Sequence, residues 1–339
     1  MIINNIYQFF YTLLLYFMFQ YTYDELFKLI DKYNKKHGTN INVNELVDPN
    51  FFKFSKLGRI ESDKFKKFSP KVIYEDNDFF GIYKPPFWVV NVGCKPIYLC
   101  DVHKNMNRGL LQVWLYKNLN YPLRNNLYDG YGISNRLDIT TSGIVIVAKN
   151  KKNYDYMRKE ISSHKNTRKK YFTLVVGNIT SGGTIETDIS CNKTESTARC
   201  YNSTNGQYSK TEYLPIAHLK DNDGHEFTLL DVRIFTGRTH QIRVHMKMLN
   251  THIVGDDVYS KDVSEFNHQM TLVDRLFLHA YYYTFLNMEG KRVEIFSPLA
   301  DDLVNAIKNN FTIEDKNINK DDLIKLLENP KDFQNNQKN

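Results

Sequence analysis

The sequence predicts an α+β fold built on a mixed, mainly antiparallel β-sheet with flanking helices. Short apolar or alternating stretches typical of strands outnumber helical patterns between residues 71 and 305. These stretches do not alternate regularly with helices, as they would in a doubly wound parallel sheet. The chain has 339 residues, of which 42% are hydrophobic, and this supplies enough apolar surface for a substantial core.

The first predicted unit is a β-hairpin. Residues 72–75 and 79–84 form its strands, Asp76-Asn77-Asp78 forms the turn, and Pro85-Pro86 ends it. A buried strand is predicted at 143–149, because branched apolar residues alternate there. Helices are predicted at 110–119 and 154–164. The other predicted strands cover 171–176, 184–189, 209–218, 225–235 and 277–286.

The composition changes at both ends of this ordered region. Residues 1–70 combine an apolar N-terminal segment with a Lys- and Asn-rich leader or accessory region, and residues 306–339 form a polar tail with a short helix at 321–328. The apolar run at 2–23 is about as long as a membrane span of roughly 20 residues. It is either a targeting or anchoring segment or a packed helix, and only residues 1–23 offer a membrane contact. The compartment stays open between cytoplasm and an organelle, mitochondrion or plastid.

The net charge indicates a polyanionic partner, and the sequence motifs indicate no metal and no cofactor. Lys and Arg number 45 against 38 Asp and Glu, and the net charge of +7 favours polyanionic partners. The sequence contains neither a His-Glu-x-x-His unit nor a glycine-rich nucleotide loop, so we expect no metal and no cofactor. The cysteines lack paired spacing, and we expect all of them to be free, reduced thiols. They are Cys94, Cys100, Cys191 and Cys200.

Two polar segments hold the candidate functional residues. The first runs from Asn135 to Gly143 and leads into the buried strand, with the carboxylate of Asp138 at its centre. Taken alone, an aspartate in such a loop is most often a turn former.

The second segment runs from Thr236 to His245 and begins a predicted helix. Thr239 is suited to be its N-cap, while Ile242, Met246 and Leu249 face the core. Basic and amide donors crowd around a helix start, an arrangement that suits an anion such as a carboxylate or phosphate. A solvated basic face is the alternative. These donors are Arg238, His240, Gln241 and Arg243.

Together the two segments resemble RNA pseudouridine synthases of the RluA type. That family carries His-Arg-Leu-Asp-x-x-Thr-Ser-Gly and, downstream, Gly-Arg-Thr-His-Gln-Ile-Arg followed by Gly-Asp. Here Asn135 replaces the histidine of the first motif, and the second is intact with Gly255-Asp256 after it. The similarity runs in order from about residue 72 to 303. Further matching pieces are Lys84-Pro85-Pro86, Lys170-Tyr171 with Gly177, and Leu278-His279-Ala280.

The resemblance implies that 71–305 is a pseudouridine synthase catalytic domain and assigns its catalytic residues. Asp138 is the catalytic carboxylate, and Arg243 is the partner arginine that favours its charged form. Tyr171 matches the aromatic residue that stacks on uracil, and it is also the candidate for assisting proton loss from carbon 5. An asparagine at 135 still donates and accepts hydrogen bonds, so we expect it to preserve the loop.

The resemblance also implies RNA contacts. Arg136 matches the residue that fills the gap left by a flipped base, and Leu137 positions the following carboxylate. Arg238, His240 and Gln241 are the other expected RNA-binding residues. We expect a monomer that acts on uridine in tRNA or rRNA. The alternative is an inactive RNA-binding or ribosome-assembly protein, but the presence of the Asp138, Tyr171 and Arg243 set favours the enzyme.

Overall fold

The computed structural model describes residues 35, 68–90, 109–124, 126, 128–193, 198–315 and 318–336. The chain divides into two units, 1–69 with 93–105, and 70–92 with 106–339, and nearly all described residues belong to the second. The predicted apolar segment 1–23 lies outside the described residues. Among the helices that are described, none is long and apolar enough to cross a membrane.

Thirteen strands are described. They are β1 (Lys71–Glu75), β2 (Phe79–Lys84), β3 (Trp88–Val89), β4 (Gly109–Leu110), β5 (Ser142–Ala148), β6 (Arg168–Val176), β7 (Gly183–Lys193), β8 (Ala198–Asn202), β9 (Gln207–Lys220), β10 (Glu226–Ile234), β11 (Leu278–Leu286), β12 (Arg292–Phe296) and β13 (Thr312–Ile313).

Helices flank these strands. They are α1 (Leu111–Asn118), α2 (Lys151–Ser163), α3 (Gln241–Met248), α4 (Val263–Leu272), α5 (Asp301–Asn310), α6 (Lys320–Glu328) and α7 (Pro330–Asn336).

One large sheet has the order β1-β2-β5-β11-β6-β10-β9-β7-β8, with β12 beside β11 and β13 beside β9. Within this sheet only β5 and β11 pair in parallel, and the remaining pairs are antiparallel. The predicted mixed, mainly antiparallel α+β fold is therefore confirmed. The first hairpin pairs as predicted, whereas β8, β12, α4 and α5 were not predicted.

Strand β5 lies inside the sheet and is buried along its whole length. Val145 and Val147 pack into a cluster with Leu111 and Leu115 of α1. Ile144, Ile146 and Ala148 pack into a second cluster on the opposite face. Burial on both faces explains why this strand reads as a continuous apolar run.

Gly143 allows β5 to start close to β11. Its φ of +120° is unfavourable for other residues, and a Cβ there would lie 2.2 Å from the carbonyl oxygen of Ala280. Gly143 pairs with Ala280 in the parallel ladder. The glycine therefore fixes the point at which the Asp138 loop meets the sheet.

The expectation of free thiols is wrong for two of the cysteines. Cys191 and Cys200 form a disulfide with an S–S distance of 2.06 Å. They are facing residues of the antiparallel pair β7–β8. Because β8 was not predicted, this register could not be inferred from the sequence. Cys94 and Cys100 lie outside the described residues.

The polar tail contains the predicted helix as α6 and one further helix, α7. Leu323, Leu327 and Phe333 are buried in the main hydrophobic cluster. The side-chain amide of Gln334 donates a hydrogen bond of 2.6 Å to the hydroxyl of Tyr281 on β11. The tail thus packs on the sheet.

Candidate active site

The loop that carries Asp138 is held by a buried lysine. Lys84 is fully buried at the end of β2, and its Nζ donates to the carbonyl oxygens of Pro85 (2.9 Å), Trp88 (3.0 Å) and Ile139 (3.2 Å). The same Ile139 oxygen accepts from the backbone N–H of Phe87 at 2.7 Å. Burial lowers the pKa of Lys84 well below its usual value. The residue after Asp138 is therefore fixed by two donors.

A buried arginine holds the other end of the loop. Arg275 donates to the carbonyl oxygen of Thr140 and to the hydroxyl of Ser142, each at 3.0 Å. Its charge is balanced by Asp302, with contacts of 2.6 and 3.0 Å. Neither this pair nor the role of Lys84 was predicted, because both depend on segments far apart in the sequence.

Asn135 occupies the position of the family histidine and joins the loop to β5. Its Oδ1 accepts from the backbone N–H of Ile146 at 2.8 Å, and its Nδ2 donates to the carbonyl oxygen of Ile144 at 3.3 Å. These bonds serve two backbone groups of a strand that is buried along its whole length. The amide of Asn135 therefore joins the loop to β5, in line with the expectation that it preserves the loop.

Replacing Asn135 with alanine is expected to lower the free energy of unfolding by about 1–3 kcal/mol, because two buried backbone groups lose their partners. Urea unfolding measures this loss. Asn118→Ala is the matched control, since Asn118 makes an exposed bond to the carbonyl oxygen of Trp114. Equal effects of the two substitutions would show that the Asn135 bonds do not stabilise the loop.

Helix α3 presents Arg243 to the site, but it begins differently from the prediction. The helix starts at Gln241, and its N-cap is His240 in the left-handed conformation at φ 55°, so Thr239 is not the cap. Ile242 and Met246 face the core as predicted. The left-handed conformation of His240 redirects the chain between the end of β10 and the helix. Helix propensity alone does not predict this change of direction.

Arg243 is a buried cation held by carboxylates. Its Nε and Nη2 donate to the two oxygens of Asp256 at 2.8 and 2.6 Å, and Nη2 also donates to Asp257 at 2.9 Å. Its Nη1 lies 3.9 Å from Oδ2 of Asp138. Burial disfavours the charge, but the bonds and charge of Asp256, with Asp138 and Asp257, raise the pKa of Arg243 above its usual value. The guanidinium therefore remains charged beside Asp138.

His240 lies between these groups. Its Nε2 is 3.2 Å from Nη1 of Arg243 and 3.9 Å from Oδ2 of Asp138, and its Nδ1 is 3.1 Å from the hydroxyl of Tyr259. Burial lowers the pKa of His240, with Arg243 adding to the effect and Asp138 opposing it. The structure thus brings Asp138, His240 and Arg243 together.

Tyr171 is buried in the centre of the sheet, where β6 pairs it with Val232 of β10 and Ala280 of β11. Burial, and then the charge of Asp138, raise the pKa of its phenol. Lys169 lies two residues earlier on the same face of β6, and burial lowers its pKa to about 8. Lys169 was not predicted as a site residue.

The other predicted RNA-binding residues differ in accessibility. Arg136 is exposed beside Asp138, and Leu137 packs against two hydrophobic clusters. Arg238 is partly exposed, with its Nε bonded to the carbonyl oxygen of Tyr208 at 2.9 Å.

Gln241 is buried, and its amide bonds to Thr236 (2.7 Å), to Thr211 (2.9 Å) and to the carbonyl oxygen of Lys210 (3.0 Å). These partners give Gln241 a role inside the protein, and its expected RNA contact stays a prediction.

Comparisons with known proteins identify the family of this chain. The model of the RNA pseudouridylate synthase family matches residues 82–248. The chain is 32% identical over 251 residues to ribosomal large subunit pseudouridine synthase D of Yersinia pestis, covering 70% of each chain. It is 31% identical over 241 residues to the protein of the same name from Vibrio cholerae, covering 69% of this chain and 68% of that one.

Solved structures show the same fold. The human RNA pseudouridylate synthase domain containing 1 matches with a TM-score of 0.51 at 24% identity, over 68% of this chain and 83% of that one. The family match and these relatives show an isomerase that acts on RNA. The chain belongs to the RNA pseudouridine synthases, of the RluA type.

Proposed function

We propose that this protein converts specific uridines of tRNA or rRNA to pseudouridine by base flipping, with Asp138 as the catalytic carboxylate. The observation that supports this most strongly is the placement of Asp138 opposite a buried arginine. The Nη1 to Oδ2 distance is 3.9 Å, and Asp256 and Asp257 hold the guanidinium in place. A protein that only binds RNA has no need for such an arrangement.

The reaction sets the tasks of these residues. The bond between ribose and uracil nitrogen breaks, the base turns, and a new bond forms through carbon 5, which loses its proton while the released nitrogen gains one. Asp138 supplies a carboxylate at the reacting nucleoside, where positive character develops on the ribose or where the base is attacked. Arg243 lies opposite this carboxylate and directs it towards the substrate. The exposure of about a third of the Asp138 side chain, 31%, leaves it accessible to an incoming nucleoside.

Base flipping assigns roles to the neighbours of Asp138. The exposed Arg136 fills the vacated place in the RNA, while the packed Leu137 holds the loop. Tyr171 stacks on uracil. Because burial and Asp138 raise the pKa of the Tyr171 phenol, it stays protonated near neutral pH and suits stacking and hydrogen bonding better than proton abstraction.

Basic groups at the rim of the site suit the RNA backbone. Arg238 lies in the loop before α3, and the Nζ of Lys169 is 3.6 Å from the position of a Cβ placed on Gly237 of that loop. We propose that both contact phosphate, and that His240 acts through Arg243 rather than on RNA.

The test is pseudouridine formation by the purified protein. Ribosomal large-subunit RNA is the first substrate to try, because two relatives carry that substrate in their names, and tRNA transcripts are the second. Mass-resolved mapping locates the product. Discrete modified uridines would support the enzyme, while RNA binding without product in either pool would favour the inactive RNA-binding or ribosome-assembly protein.

A further inference from the structure

A group of metal-ligating side chains lies at the turn between β9 and β10. Asp221, Asp223 and His225 belong to the turn, and His268 belongs to α4. One nitrogen or oxygen atom of each lies within 4.8 Å of those of the others. The turn precedes β10, whereas the loop that leads to α3 and Arg243 follows it, so the two features adjoin opposite ends of this strand. This group is outside the active site.

The centre of the group is a single carboxylate oxygen. Oδ2 of the buried Asp221 lies 2.9 Å from Nδ1 of His225 and 2.8 Å from Nε2 of His268. Its Oδ1 accepts the backbone N–H groups of Asp223 and His225, each at 2.9 Å. The turn therefore holds the carboxylate in position, and two imidazoles approach it from different elements of the fold.

Two imidazole nitrogens and a carboxylate oxygen form a donor set that suits zinc. Around a tetrahedral ion with bonds of about 2.0 Å, such ligands lie about 3.3 Å apart. The observed separations of 2.8 and 2.9 Å require the ligands to move apart by only a fraction of an ångström. We propose that Asp221, His225 and His268 bind Zn²⁺, with the exposed Asp223 as the fourth ligand.

Zinc at this position connects distant parts of the chain. His268 is 47 residues from Asp221 in sequence, so the ion joins the β9–β10 turn to α4. It stabilises the folded state because the unfolded chain does not preform the site. The site is structural, since none of its four residues belongs to the active site described above.

Zinc titration of the metal-free, full-length protein tests this proposal. Calorimetry with Zn²⁺ should show one ion per chain, and thermal unfolding should move to higher temperature. His225→Asn and His268→Asn should each weaken binding at least tenfold. His164→Asn is the control, because His164 ends α2 in the left-handed conformation that asparagine tolerates. No binding, or equal binding by the wild type and by a variant that carries both His225→Asn and His268→Asn, would overturn the proposal.

A second inference concerns Tyr259 and rests on the proposed function. The Tyr259 hydroxyl has three neighbours: the carbonyl oxygen of Cys200 at 3.0 Å, the N–H of Cys200 at 2.9 Å, and Nδ1 of His240 at 3.1 Å. A phenol has one proton, and a carbonyl oxygen only accepts. The phenol therefore donates to Cys200, and Nδ1 of His240 must carry the proton that it donates to Tyr259.

The same reasoning assigns the role of the other imidazole nitrogen of His240 as an acceptor. Nε2 of neutral His240 carries a lone pair, and it accepts from Nη1 of Arg243 at 3.2 Å. The same Nη1 of Arg243 lies 3.9 Å from Oδ2 of Asp138. We infer that Tyr259 is a positioning residue: it sets the tautomer of His240, which in turn aims Arg243 at the catalytic carboxylate.

Tyr259→Phe tests this inference. Nitrogen-15 NMR of His240 should show the Nδ1–H tautomer in the wild type and a shift towards Nε2–H in the variant. Turnover should fall about tenfold, while KM for RNA changes less than twofold, because one hydrogen bond in a polar network is lost. Tyr201→Phe, with an exposed ring next to Cys200, is the control.

Two outcomes would overturn the inference: an Nε2–H tautomer in the wild type, or a variant with wild-type tautomer and turnover. The NMR measurement does not require activity. If the wild type forms no pseudouridine but shows the Nδ1–H tautomer, the proposed function fails and the hydrogen-bond network stands.

Discussion

Asp138→Asn is expected to abolish pseudouridine formation while RNA binding is retained. Asparagine has the same shape, so the loop held by Lys84 and Arg275 keeps its position. The substitution removes the negative charge that faces Arg243 at 3.9 Å. Loss of a group that acts directly in the reaction typically lowers turnover by at least about a thousandfold. Turnover is measured by mass mapping of pseudouridine, and binding by titration with labelled RNA.

Asp155→Asn is the matched control for this experiment. Asp155 is an exposed aspartate of α2 that pairs with Lys151 at 2.7 Å, and such surface pairs contribute little. Its activity should equal that of the wild type. Persistent product with Asp138→Asn would mean that another group acts as the catalyst. Loss of both binding and product would indicate that the loop itself has changed.

The positions of most of the longer strands could be predicted, because each of those strands carries its own local pattern. The run at 143–149 and the hairpin at 72–84 are set by local apolar alternation and by turn residues. Strand β8 and helix α4 lack such a signal. The disulfide could not be predicted for the same reason, because Cys191 and Cys200 face each other only when β7 and β8 pair.

The residues of the candidate active site also fall into those that a local sequence pattern identifies and those that only the fold brings together. Asp138 and Arg243 lie in contiguous motifs, and a resemblance carried by those motifs identifies them. Arg275 and Tyr259 contribute to the site through contacts between distant segments, and His268 reaches the separate Asp221 group in the same way. Such contacts leave no local pattern in a single sequence. The scattered histidines therefore suggested no metal site before the fold brought two of them together.

Arg243→Met is expected to lower the free energy of unfolding by about 3–5 kcal/mol, because it leaves the charge of Asp256 buried without a partner. Asp256 is 0% exposed, and two oxygens that now accept from Arg243 at 2.8 and 2.6 Å would lose these donors. Methionine fills a similar volume, so the loss in free energy of unfolding comes from the unpaired charge more than from altered packing. Urea unfolding of the variant and the wild type gives the difference.

The double variant Arg243→Met with Asp256→Asn separates charge from packing. Asparagine still accepts the backbone N–H groups of Val258 and Tyr259, which now donate to Oδ1 of Asp256 at 2.9 and 3.0 Å. Removing both charges should therefore restore part of the stability lost in Arg243→Met. Activity should stay low in both variants, since Asp138 lacks its partner in each. Recovery of activity with stability would mean that Arg243 serves only the fold, and strictly additive losses would mean that the Arg243–Asp256 pair is not coupled.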